Sequence, residues 1–167
     1  MTALTTSQTR ISVGIGQLAT ADDPGIILVA YGLGSCVGIT VWHPRSRWGA
    51  LLHVLLPESN GAPFRAEEPA RYADHAFEEL LRRFGSRGEP RELVLKLAGG
   101  AMVLGREHSQ RFKIGERNAE AIYRQLERLG LRPAAVDLGG TAGRTLELHI
   151  ATGKSYVRTA TTPAREL

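Results

Sequence analysis

Cys36 is the only cysteine in 167 residues, and it stands in a glycine-rich turn, Gly32-Leu33-Gly34-Ser35-Cys36-Val37-Gly38. A thiol becomes a competent nucleophile when a neighbouring base or cation helps to remove its proton. The flanking glycines let the backbone turn sharply and let a substrate approach the main chain. Main-chain N–H groups of such a turn, at a rim formed by Gly34 and Ser35, can converge on a developing oxyanion. A lone cysteine in an apolar run is more often a small core residue; this one differs in standing at the turn rather than in mid-strand. His53 follows 17 residues later in Leu51-Leu52-His53-Val54-Leu55. A histidine in an apolar strand commonly bonds a backbone carbonyl and does no chemistry. The separation nevertheless fits a strand–turn–strand excursion that returns the imidazole beside the thiol, the pairing that cysteine chemistry needs.

The remaining chemistry-bearing residues are less organised. His43, His75, His108 and His149 are scattered, and with one cysteine there is no zinc-type spacing, so no metal site is expected. Gly99-Gly100 and Gly139-Gly140 match neither phosphate-loop pattern and read as tight turns after strands. Arg117 and Asn118 open a helix, where capping is the plain role and contact with a substrate or partner the sharper one. Arg82, Arg83, Arg87 and Arg91 read as a solvated face.

The elements that must position Cys36 and His53 follow from the hydrophobic period. Gly25–Tyr31 is short, apolar and β-branched and reads as a buried strand; Val37–Trp42 and Gly49–Leu56 read as two more, the latter carrying His53. From Tyr72 the spacing turns helical, with Ala73, Ala76, Phe77, Leu80, Leu81 and Phe84 on one face and Gly85 as a C-cap. A strand over Leu93–Ala98 ends at the first double glycine. A second helix runs from about Glu116 to Leu129, with Ala119, Ile122, Leu126 and Leu129 as its buried stripe. Ala134–Leu138, Thr145–Ala151 and Ser155–Ala160 read as strands, the last two joined at Gly153-Lys154. Without strict strand–helix alternation, the expected fold is α+β: a single layered sandwich domain of mixed β-sheets with two main helices packed on one side. It spans residues 1–167, with loosely ordered tails expected at 1–9 and 161–167.

Composition narrows the class. Hydrophobic residues make up 43% and charged residues 23%, as in ordinary globular chains. The net charge of +4 is spread along arginine-bearing helices, and aromatics are only 6%, which argues against a nucleic-acid surface. The N-terminal ten residues lack a signal-peptide core, and the apolar run Ile26–Trp42 is too short and glycine-broken to cross a bilayer. The expected location is the cytoplasm, with no membrane insertion.

Leu33-Gly-Ser-Cys-Val-Gly38 and Gly49-Ala-Leu-Leu-His-Val-Leu-Leu-Pro57, at this separation, resemble the CheD family, the chemoreceptor glutamine deamidases of bacterial chemotaxis. The resemblance continues through Tyr72-Ala-Asp74, Lys96-Leu-Ala-Gly-Gly-Ala101, Ile114-Gly-Glu-Arg-Asn118 and Asp137-Leu-Gly-Gly140 before Arg144. It implies a layered fold with a Cys-His-Thr catalytic set. The implied reaction turns glutamine side chains of methyl-accepting receptors into glutamate, releasing ammonia through a cysteine thioester, without a cofactor. The implied partners are chemoreceptors and a CheC-type phosphatase.

In one place the chain departs from that pattern. The family threonine lies six residues before the cysteine, where this chain has Ala30. Alanine offers no hydroxyl to orient the histidine. Ser35, Thr40, a backbone carbonyl or water are the stand-ins left open, and weakened activity is the consequence if none serves. The alternative function is a non-catalytic module that docks to chemoreceptors or to a CheC-type phosphatase.

Overall fold

Strands buried on both faces need cover on both sides, and the apolar runs Val37–His43 and Trp48–Val54 obtain it in the middle layer of a three-layer arrangement, between another sheet and the helices. The computed structural model describes residues 7–103 and 113–167. In chain order these form β1 (Thr9–Ser12), β2 (Leu18–Ala21), β3 (Ile26–Leu33), β4 (Val37–His43), β5 (Trp48–Val54), α1 (Ala73–Phe84), a 3-10 turn at Pro90–Glu92 and β6 (Val94–Gly99). There follow α2 (Ile114–Arg128), β7 (Ala135–Leu138), β8 (Arg144–His149), β9 (Lys154–Arg158) and β10 (Arg165–Glu166).

Among the described residues the strands make two mixed five-stranded sheets, ordered β1-β3-β8-β9-β10 and β2-β5-β4-β6-β7. The pairs β1/β3 and β6/β7 are parallel; the other pairings are antiparallel. One core lies between the sheets, where Leu28, Ala30 and Leu33 meet Cys36, Leu51, Ala98, Leu146 and Leu148. The other lies between the second sheet and the helices, where Val37, Ile39, Leu52 and Val54 meet Phe77, Leu80, Phe84, Ile122 and Leu126. Alternation along β4 and β5 thus sends odd and even positions into different cores. Each large apolar side chain so buried contributes about 1.5–3 kcal/mol. The fold is α+β, and among the described residues both α-helices lie on one side, as expected from the hydrophobic pattern.

Some details differ from the pattern. Strands β1 and β2 carry no strong apolar period because they are four-residue pieces, and β1 is exposed throughout. Helix α2 begins at Ile114, and its buried face includes Asn118 and Gln125 beside Ala121, Ile122 and Leu126. The tail expected to be loose is held at its end: β10 pairs with β9, Leu167 N–H donates to Ser155 O, and Arg165 pairs with Asp137. At the other end Thr9 pairs with Ile26, and residues 1–6 lie outside the described residues. The arginines of α1 and of the turn after it are engaged as well as solvated. Arg82 and Arg83 grip Glu79, Arg83 reaches Leu18 O, and Arg87 caps the carbonyls of Arg83 and Phe84 while stacking on Trp48.

Candidate active site

Cys36 sits where the chain crosses from one sheet to the other. Strand β3 ends at Leu33 in the first sheet and β4 begins at Val37 in the second, so Gly34-Ser35-Cys36 is the crossover. The turn is pinned on both sides, by Ala101 N–H to Gly34 O at 2.8 Å and Gly100 N–H to Cys36 O at 2.9 Å. Gly99, at φ 114°, passes so close to the Cys36 carbonyl that a side chain there would collide with backbone.

The antiparallel register of β4 and β5 pairs Val37 with Val54 and Gly38 with His53. Cys36 lies two residues before Gly38, so it projects to the same sheet face as His53 and stands on its diagonal. Both belong to the face turned toward the first sheet, the core that holds Cys36 and Leu51. The excursion read from the 17-residue spacing is therefore the β4–β5 hairpin. The two residues are largely covered, Cys36 being 6% exposed and His53 1%.

His53 is held by the segment Val13–Gln17, between β1 and β2. Its backbone N–H donates to Gln17 O and its carbonyl accepts from Gly16 N–H, both at 2.9 Å. Its Nδ1 lies 3.0 Å from Val13 O. A carbonyl can only accept, so Nδ1 carries the proton and Nε2 of the neutral ring is left with a lone pair. That Nε2 is buried with no hydrogen-bond partner. Burial pushes the His53 pKa below its ordinary value, against a smaller opposing effect of the Val13 bond.

Nδ1 of His53 thus meets a backbone carbonyl, that of Val13, one of the stand-ins left open by Ala30. Ala30 is fully buried in the inter-sheet core, paired with Leu146. Thr40 Oγ1 bonds Ser155 Oγ across the two sheets at 2.7 Å, a bridge between layers, while the ring Nδ1 meets Val13 O. Ser35 enters through its carbonyl, which accepts from Asn118 Nδ2 at 2.9 Å.

Asn118 is not a cap. The N-cap of α2 is Lys113, and the fully buried Asn118 amide instead donates to Ser35 O and, at 3.0 Å, to Leu55 O. Its Oδ1 is buried without a hydrogen-bond partner. The helix comes this close because Gly115 packs on the double-glycine turn; a Cβ there would stand 2.5 Å from Gly100 O. The two double glycines are turns after β6 and β7, all four at positive φ, and Gly139 N–H donates to Gly99 O. Gly100, Gly139 and Gly140 border a groove of about 400 Å³ with Met102, Glu116, Tyr123 and Leu138, which begins at the peptide that bonds the Cys36 carbonyl.

The other histidines stay apart from this site. His43 lies against Phe84 with Nδ1 on Ser46, His75 edges onto Phe64 and Tyr72, and His149 meets Glu147 and Tyr156. His108 lies outside the described residues. Sequence reasoning missed Val13, whose contribution is a main-chain atom. It took Asn118 for a cap, although its place one turn before Ile122 on the apolar stripe was a usable signal.

The fold and site define a two-sheet α+β protein with a cysteine and a histidine on one face of adjacent strands. The chain belongs to the CheD family: residues 55–159 match the family described as CheD chemotactic sensory transduction. Cys36 and His53 precede that range. The chain is 43% identical over 158 residues to a probable chemoreceptor glutamine deamidase CheD of Symbiobacterium thermophilum, spanning 93% of this chain and 96% of the relative. A protein of the same description from Thermococcus kodakarensis is 43% identical over 150 residues, 89% of this chain and 92% of the relative. The chemoreceptor glutamine deamidase CheD of Thermotoga maritima is 40% identical over 149 residues, 87% of this chain and 89% of the relative.

Proposed function

We propose that this chain is a protein-glutamine deamidase that acts on methyl-accepting chemoreceptors, with Cys36 as nucleophile and His53 as acid–base partner. The observation that carries the reading is the disposition of His53, on the sheet face of Cys36 with Nδ1 tied to Val13 O and Nε2 buried and unbonded. Relatives covering most of the chain carry the deamidase description.

A neutral His53 acts first as base. The Cys36 thiol proton passes to Nε2 as sulfur attacks the carboxamide carbon, and main-chain donors at the Gly34-Ser35 rim receive the tetrahedral oxyanion. Because burial holds the imidazole pKa down, the protonated ring is a ready acid, and it returns the proton to the leaving nitrogen. Ammonia departs and a thioester remains. Water attacks that thioester while giving a proton to His53, and collapse restores the thiol and leaves glutamate. His53 rests neutral, its pKa held down by burial.

The reading places the protein in the cytoplasm beside the signalling portion of its receptor, with a CheC-type phosphatase as a regulatory partner. In accord with that, no helix among the described residues is long and apolar enough to cross a membrane.

Ala30 favours a second reading, a docking module without catalysis. Intact-mass analysis of a receptor fragment incubated with the protein separates the two. The deamidase gains for its substrate, at each converted glutamine, the mass difference between a carboxamide and an acid. The module binds the fragment without changing its mass, and Ala30→Thr then creates an activity absent from the natural sequence.

A further inference from the structure

We propose that Asn118 is a positioning residue for the reaction, tying together the main chain beside both reacting side chains. The proposal rests on the reading of Cys36 and His53 as a working pair. The β4–β5 ladder ends at the Val37/Val54 rung. The next rung would join Cys36 to Leu55, and there the amide of Asn118 reaches in from α2 instead. Its two N–H bonds end on Ser35 O and Leu55 O, one carbonyl just before β4 and one just after β5.

Ser35 O and Cys36 N–H share one planar peptide unit, and no described peptide is cis. Holding the Ser35 carbonyl therefore fixes the peptide from which the Cys36 side chain departs. Leu55, two residues past His53, is the end of the segment that carries the imidazole. The amide thus sets the spacing of the two segments where direct pairing stops. Two carbonyl acceptors require two donors from one short planar group; aspartate offers none when ionised, and leucine none at all. Asn118 keeps this geometry although its Oδ1 goes unmatched, as a residue selected for packing alone would not.

The test uses the full chain with Asn118→Leu, near in volume, and Asn118→Asp, near in shape. Two quantities are followed: kcat and KM for deamidation of a receptor fragment, and the pH dependence of Cys36 alkylation by iodoacetamide. The expected result is folded protein with kcat lower by about 100-fold, KM within about threefold, and an alkylation profile displaced from that of wild type. A folded variant with wild-type kcat overturns the proposal. So does a loss of kcat that merely follows the unfolded fraction while the alkylation profile superposes on wild type. If Asn118→Leu does not fold, Asn118→Asp and Asn118→Gln carry the same comparison. Cys36→Ala keeps the two failures apart: if it deamidates as wild type does, the nucleophile assignment is wrong. If it is inactive while the Asn118 variants match wild type, only the Asn118 role is wrong.

Discussion

His53 shows how far a residue type alone can be read. Its place in an apolar strand, at a hairpin's distance from Cys36, was visible as spacing; its partner was not, because Val13 contributes a carbonyl that any residue possesses. Side chains announce themselves in a sequence, main-chain atoms do not, and the partner of the His53 ring is such an atom. Titration follows from this burial. The folded pKa lies below the ordinary value near 6.5, so the unfolded chain binds the proton first as pH falls. Stability contributed at His53 is thus fully present above pH 6.5 and declines below it, toward the lowered folded value. Thermal unfolding of His53→Gln, measured from pH 7.5 to 5, should lose less stability on acidification than wild type. The acid limb of kcat/KM should likewise fall below 6.5, and a limb above that value contradicts a neutral buried base.

At the scale of elements, the hydrophobic period gave both helices and the three strands around the site, and it failed where strands were four residues long. Strands β1 and β2 owe their conformation to partners, β1 to the parallel edge of β3 and β2 to β5. Local propensity is a weak guide to such pieces, yet the turn between them is what holds His53. Helix α1 is fastened to β2 by a charged cluster, with Glu79 between Arg82 and Arg83, and Arg83 on Leu18 O. Hydrogen bonds from Arg82 and then Arg83 hold the Glu79 pKa at about 2, below the usual 4.5. Glu79→Gln should lower Tm at pH 7 by about 3 °C, and the gap should close as pH falls from 4.5 toward 2, where wild type loses the same charge. Helix α2 depends on close approach at Gly115. Gly115→Ala would drive a Cβ against the Gly100 and Ala101 carbonyls and should cost about 1–3 kcal/mol, read by denaturant unfolding.

Across the whole molecule, the site exists because one crossover joins two sheets. The turn that leaves β3 for β4 puts Cys36 at the margin of the inter-sheet core, and the layers on either side decide how far it is covered. That layering was legible as strands buried on both faces followed by two amphipathic helices. Which strands share a sheet was not, since β3 and β4 are neighbours in sequence and lie in different sheets. The buried Thr40–Ser155 bond links those sheets directly. Thr40→Val or Ser155→Ala alone strands one hydroxyl and should cost about 1–3 kcal/mol; the double variant should cost less than the sum, as a double-mutant cycle in urea will register.

The account turns on Cys36 and His53 acting as one unit, and the most direct measurement is the deamidation rate of a receptor fragment by wild type, Cys36→Ala, His53→Gln and the double variant, followed by intact mass. Groups that work together are non-additive on removal. The expected result is no conversion by Cys36→Ala, a rate lower by about 10²–10⁴ for His53→Gln, and a double variant no worse than Cys36→Ala. Conversion by Cys36→Ala at the wild-type rate, or full activity in His53→Gln, would contradict it.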